Sequence, residues 1–181
     1  PAHIVFILAT TDAHKVPDTI ISRTQRFAFR SITQADALKH LRMIADSESI
    51  RIEDEALALV AEHGDGSFRD SISLLDQLSI LAEPKAPITL PLVEQVMGLA
   101  PGSAITALIQ AYADRDQAAI ITLLDGFEQM GIEAHVVANQ LIRALKPRLS
   151  DDPKTIELLD SLIDVLRSPR PDVKLLTALL A

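Results

Sequence analysis

The chain has 181 residues, of which 48% are hydrophobic, 23% charged and 3% aromatic. This length holds one ordinary domain or two small ones, and the composition excludes a disordered chain. Because the sequence contains no Cys, it excludes disulfides, iron–sulfur clusters, thiolate zinc and a cysteine nucleophile within these residues. No apolar run approaches the ~20 residues that span a bilayer. We therefore expect a cytoplasmic protein without a membrane partner.

The charge distribution limits the kinds of partner, and the residue composition favours a helical protein. The net charge is −8, yet residues 1–51 carry seven Lys and Arg against five Asp and Glu. In the remaining chain acidic residues are in the majority, which argues against a protein whose whole surface binds the phosphates of nucleic acid. Because aromatic residues are scarce, the core has to be built from Leu, Ile, Val and Ala, which favours helix bundles over β-sandwiches.

The chain opens on a continuous apolar run at residues 4–9. Such a run is typical of a strand covered on both faces, as in a parallel sheet. A second, shorter strand is predicted at residues 25–29. Two such strands are not stable alone. We therefore expect residues 1–30 to be the end of an α/β domain, and the chain to be the C-terminal part of a longer polypeptide.

From Thr33 onward the apolar spacing predicts one helix after another. Thr33 begins the first of them as a hydroxyl cap with Asp36 three residues on, and Gly64 is placed to end the second. Pro101 and Gly102 mark the clearest domain boundary in the sequence. The amphipathic pattern then continues to the C-terminus.

Two short features near the N-terminus carry residue types that suit phosphate chemistry. Thr10 and Thr11 follow the first predicted strand, and ligands of open α/β sheets bind at the carboxyl ends of strands. The alternative is that these hydroxyls only cap the following turn. Arg23 follows a short predicted helix, from which an arginine can project to the phosphates of another subunit. The alternative there is a solvated surface arginine.

A third feature is Arg69, in the first turn of a predicted helix. The helix dipole disfavours a cation at this end by roughly 0.3–1 kcal/mol. Either a neighbouring acid such as Asp70 offsets that cost, or Arg69 reaches an anionic ligand beside the helix start. The sequence contains no phosphate-binding loop, and the five His residues are scattered without metal-ligand spacing. We therefore expect no metal site.

In order and spacing, these features resemble the bacterial DNA polymerase III clamp-loader gamma/tau family of AAA+ ATPases. The resemblance is carried by FILATTDAHKVPDTIISRTQRFAF and EDEALALVAEHGDGSFRDSISLLDQL, within residues 1–98. It implies that Thr11, or Thr10 beside it, is sensor 1 and that Arg23 is an arginine finger acting on the ATP of a neighbouring subunit. It also implies that Arg69 is the sensor 2 arginine. The sequence departs from the family motif at Thr24, where Cys is usual.

The resemblance also implies an architecture. Residues 1–30 would end the nucleotide-binding domain, residues 31–98 would form the helical lid, and residues 99–181 the helical collar that joins subunits into a ring. The family's phosphate loop and Walker B motif precede the part present here. The longer subunit would bind ATP with Mg, whereas this chain alone should bind none tightly and be inactive. The implied partners are other clamp-loader subunits, the sliding clamp and primer–template DNA.

Two alternatives remain at this point. One is a delta-prime-type clamp-loader subunit, which keeps the arginine finger without binding ATP. The retained Arg69 favours the ATP-binding type. The other is a helical protein-interaction module, against which the need of the 4–9 strand for neighbours argues.

Overall fold

The computed structural model describes residues 3–83, 86–148 and 153–180, and most of them are helical. This confirms the predicted mainly α fold. The α-helices in chain order are α1 (Asp18–Ile21), α2 (Gln34–Ser47), α3 (Asp54–His63), α4 (Phe68–Leu81), α5 (Leu90–Val96), α6 (Gly102–Asp114), α7 (Gln117–Gln129), α8 (Ala134–Leu145), α9 (Pro153–Arg167) and α10 (Pro171–Leu180). Among the described residues, no helix combines the length and apolar character that a membrane crossing needs.

The chain divides into two compact units, residues 1–31 and residues 32–181. In the described part of the first unit, a 3-10 turn (Ala13–Lys15) and the single-turn helix α1 interrupt an otherwise extended chain. The predicted strands at 4–9 and 25–29 are wrong for this structure, since neither segment pairs with another. A strand exists only where a neighbour satisfies its backbone N–H and C=O groups. The apolar side chains of these segments are consequently exposed.

The second unit contains two separate hydrophobic cores. The first core is enclosed by α2 to α5, with α3 packed against each of the other three helices. Its fully buried large side chains are all aliphatic: Leu41, Leu57, Val60, Leu75, Leu78, Ile88 and Val93. A single parallel bridge between Ile52 and Ile88 ties the loops before α3 and α5 together. The predicted aliphatic core is confirmed here.

The second core is enclosed by α6 to α10. Helix α8 lies centrally and packs against α6, α9 and α10. The core is again mainly aliphatic, with Phe127 as its one buried aromatic among the described residues. Its largest fully buried side chains are Leu108, Ile120, Leu141, Leu162 and Leu175.

Helix ends follow the predicted chemistry in one case and differ in another. The amide of Asp36 donates to the Thr33 hydroxyl oxygen at 3.1 Å, which confirms the predicted cap of α2. Helix α3 ends at Gly64 as predicted, but Gly64 itself has a right-handed φ of −64°. In the turn that follows, the left-handed residues are Asp65 (φ 45°) and Gly66 (φ 84°). Gly64 therefore serves another purpose than a left-handed cap.

Replacing the cap of α2 tests this local account. Thr33→Ala removes the acceptor of the Asp36 amide, and we expect the free energy of unfolding to fall by about 1 kcal/mol. Thr122→Ala is the matched control, because the Thr122 hydroxyl only donates to the Ala118 carbonyl within α7. Urea denaturation followed by circular dichroism measures both variants, and equal stability losses would contradict the capping role.

Candidate functional site

Arg69 stands at the start of α4, in a turn whose own polar groups are already satisfied. Ser67 caps the helix by accepting from the Asp70 amide at 3.3 Å. The Arg69 side chain is exposed and has neither a hydrogen bond nor an ion pair within the described parts of the chain. Asp70 thus forms no ion pair with Arg69, although it is an acid in the first turn of the same helix. The guanidinium is left available for an anion.

The direction of α4 is fixed by a close approach between Gly64 and Ser71. A Cβ atom at position 64 would lie 1.8 Å from the Ser71 Oγ and 2.9 Å from the Ser67 carbonyl oxygen. Ser71 is buried, and its hydroxyl donates to the Ser67 carbonyl at 3.1 Å. Only glycine fits at position 64, because the neighbouring atoms include backbone that cannot move aside cheaply.

Contacts from outside the turn also hold the beginning of α4. The ring of Phe68, beside Arg69, lies 4.7 Å from the His40 ring on α2, with a tilt of 53°. The Ile32 amide donates to the Gly66 carbonyl at 3.2 Å. The sequence alone does not predict this contact. No spacing signal reveals it, since a lone histidine on a helix gives no indication of the ring it meets.

The close approach at Gly64 leads to a stability prediction. Gly64→Ala forces α3 and α4 apart, and we expect a loss of about 1–3 kcal/mol in the free energy of unfolding, the usual cost of overpacking. Gly126→Ala is the control, because nothing lies within 4 Å of a Cβ there. Because Gly126 lies in the middle of α7, its replacement by Ala should raise the free energy of unfolding by about 0.5–1 kcal/mol. Thermal denaturation distinguishes the two, and a neutral Gly64→Ala would contradict the packing account.

In the first unit, the structure shows the local turn that the sequence left open as an alternative. The hydroxyl oxygen of Thr10 accepts from the Asp12 amide at 2.9 Å, and Asp12 pairs with Lys15 at 3.1 Å. Thr10 thus stabilises the turn before the 3-10 segment. Thr11 is exposed, and its side chain makes no hydrogen bond within the described residues. Thr11 is therefore the freer of the two predicted sensor hydroxyls.

Arg23 lies directly after α1, as the sequence predicts, and its side chain folds back onto that helix. One guanidinium nitrogen donates to the Thr19 carbonyl at 2.7 Å. A cation at the C-terminal end of a helix is electrostatically favourable. The side chain is exposed and has no carboxylate partner in the described part of the chain. Its remaining N–H donors face no competing acid there.

The four predicted site residues fall into the two units. Thr10, Thr11 and Arg23 belong to the first unit and Arg69 to the second. Within the first unit, Thr10 lines a shallow apolar groove with Leu8, Pro17 and Ile20, whereas Thr11 and Arg23 do not line it. No group of His, Asp or Glu side chains among the described residues has the arrangement of a metal site.

Comparison with known proteins defines the class. Residues 37–82, which include most of α2 and all of α3 and α4 with Arg69, match the ATPase lid domain of DNA polymerase III clamp loader subunits. The stretch that holds Arg69 is therefore similar in sequence to a clamp-loader lid.

The relatives are more specific. The chain is 38% identical over 132 residues to DNA polymerase III subunit gamma/tau of Mycoplasma genitalium, covering 73% of this chain and 22% of that protein. It is 48% identical over 77 residues to DNA polymerase III subunit tau of Bacillus subtilis, covering 42% of this chain and 14% of the relative. Protein STICHEL-like 3 of Arabidopsis thaliana is 34% identical to the chain over 141 residues, which cover 78% of this chain and 13% of that protein. The predicted resemblance to the clamp-loader gamma/tau family is confirmed, and the chain spans under a quarter of each of these relatives.

Proposed function

We propose that this chain is the lid-and-collar part of a clamp-loader ATPase subunit, acting in the cytoplasm as part of a longer polypeptide. In this proposal residues 1–30 end the nucleotide-binding domain, residues 31–98 form the lid and residues 99–181 form the collar that meets other subunits. The observation that carries it is Arg69, a cation that lies at the N-terminal end of a capped helix and has no partner among the residues the structure describes. That helix lies in the region matched to a clamp-loader ATPase lid.

Arg69 suits the recognition of ATP phosphates for two physical reasons. The positive end of the α4 dipole and the guanidinium both favour negative charge at the same place. A guanidinium also forms paired, charge-assisted hydrogen bonds with phosphate oxygens, which are stronger than neutral ones. Neither Asp70 nor another acid in the described chain competes for this side chain. Bound ATP would draw the lid onto the nucleotide through this contact.

Arg23 has a different part in the proposal. Its hydrogen bond to the Thr19 carbonyl is neutral on the acceptor side, so a phosphate offers the guanidinium a stronger partner. We assign Arg23 to the ATP of a neighbouring subunit and Thr11 to the polar contacts beside the γ-phosphate in its own subunit. Both act by electrostatic stabilisation and positioning rather than by nucleophilic attack. ATP with Mg would be bound by the longer subunit, and these residues would complete its sites.

The resulting cycle links nucleotide state to ring shape. Arg69 and Arg23 tighten the ring when ATP is bound, which opens the sliding clamp and admits primer–template DNA. At each ATP, Arg69 of the subunit that binds it and Arg23 of the neighbouring subunit contact the γ-phosphate. Hydrolysis removes this phosphate, so the ring relaxes and leaves the clamp closed on DNA.

Removing Arg69 tests the lid assignment directly. In the longer subunit, Arg69→Ala should weaken ATP affinity about 10- to 100-fold, the range expected for lost hydrogen bonds to a charged group. Lys39→Ala, an exposed cation on α2, is the matched control and should leave affinity unchanged. Isothermal titration with ATP and Mg measures both. An unchanged affinity in Arg69→Ala would refute the assignment, and a parent subunit that binds no ATP would favour the delta-prime type.

Removing Arg23 tests action between subunits. Arg23→Ala should lower the steady-state ATPase rate of the assembled complex by ~10³-fold or more, as arginine fingers do. ATP binding by the isolated subunit should be retained, because the finger acts on a neighbour's nucleotide. Arg26→Ala changes an exposed cation in the same unit and serves as the control. Loss of ATP binding in the isolated Arg23→Ala subunit would contradict the assignment.

A further inference from the structure

The connection between the two cores is a hydrogen-bonded segment, although its sequence has the Pro-Gly signature of a flexible boundary. Gly98 adopts a left-handed φ of 64°, and its amide donates to the Gln95 carbonyl at 3.1 Å. The Leu99 amide donates to the Glu94 carbonyl at 2.8 Å. Pro101 has no amide hydrogen to satisfy. The backbone of this segment is therefore organised from its first residue.

The remaining amides of the segment are satisfied by two side chains. Gln140 on α8 pairs with Ala100 in both directions: its Oε1 accepts from the Ala100 amide at 2.9 Å, and its Nε2 donates to the Ala100 carbonyl at 2.8 Å. The Glu94 carboxylate on α5 accepts from the Gly102 amide, at the first residue of α6, at 2.8 Å. Glu94 is only 9% exposed, and a buried carboxylate at a helix N-terminus is stabilised by the dipole.

Helix α8 also reaches the turn region that precedes Arg69. Arg143, three residues after Gln140 and thus on the same face of α8, lies 3.5 Å from Glu62 near the end of α3. Both members of this ion pair are largely exposed, so it contributes little on its own. The ion pair does bring α8 into contact with the first core, at Glu62, which lies two residues before Gly64. The Gln140 pairing, by contrast, involves a fully buried residue, Ala100.

We propose that residues 98–102 form a rigid joint locked by Gln140 and Glu94, so that α8 positions the first core, with Arg69, relative to the second core. The two cores then move as one body instead of swinging about the Pro-Gly segment. The joint itself follows from the hydrogen bonds. Only the link between this joint and ATP binding through Arg69 rests on the proposed function.

Spin-label distances between the two cores test the joint without any nucleotide. Because the chain has no Cys, Lys39→Cys on α2 with Asp160→Cys on α9 introduces only the two intended labels, both at exposed positions. We expect one narrow distance distribution for this pair. Gln140→Met, which keeps the length of the side chain but loses both hydrogen bonds to Ala100, should broaden it. Amide exchange at Ala100 should accelerate about tenfold in that variant, the equivalent of one typical hydrogen bond.

Matched controls separate the joint from general loosening. Gln110→Met removes an exposed glutamine bond to Asp114 within α6 and should leave the distribution narrow. The pair Lys39→Cys with Glu55→Cys, both in the first core, should stay narrow in every variant. At position 94, Glu94→Gln keeps an oxygen acceptor and should preserve the distribution, whereas Glu94→Leu should broaden it. A broad distribution in the parent chain, or an unchanged one in both Gln140→Met and Glu94→Leu, would overturn the proposal. Neither result would bear on ATP binding.

Discussion

The close approach of α3 and α4 at Gly64 is the constraint on which the candidate site depends. Because hydrogen is the largest group that fits between Gly64 and Ser71, the two helices can meet near their ends and turn sharply through Asp65 and Gly66. That turn places Ser67 where its side chain caps α4, and the cap sets Arg69 in the first turn. The position of Arg69 is thus set by packing and backbone geometry, and its guanidinium has no charged partner within the described ranges.

Local chemistry explains what the sequence could predict. The helical spacing after Thr33, the Thr33 cap and the position of Arg69 each depend on residues within one or two turns of each other. The strands at 4–9 and 25–29 could not be predicted in the same way, because pairing depends on a partner that the run itself does not specify. For the same reason, the contact of His40 with Phe68 left no trace in the spacing of either residue.

The predicted phosphate-contacting residues differ in how ready they are for that role. Arg69 has no partner in the described chain, whereas Arg23 and Thr10 already bond to their own neighbourhood. A side chain held by a weak local bond costs little to release when a stronger, charged acceptor arrives. Sequence reasoning selects residue types that suit this chemistry, and their roles stay predictions. The structure adds which of these side chains already make a local hydrogen bond and which make none within the described residues.

The pairing of Gln140 with Ala100 has a consequence for how this joint is recorded in sequences. Gln140 recognises the backbone N–H and C=O at position 100, which every amino acid except proline presents, and the side chain there is otherwise restricted only by the lack of space around it. Related proteins can therefore keep the joint with a side-chain amide at position 140 and any small residue at position 100. Methods that infer contacts from paired changes in aligned sequences would see no paired change between these two positions, although they are directly bonded.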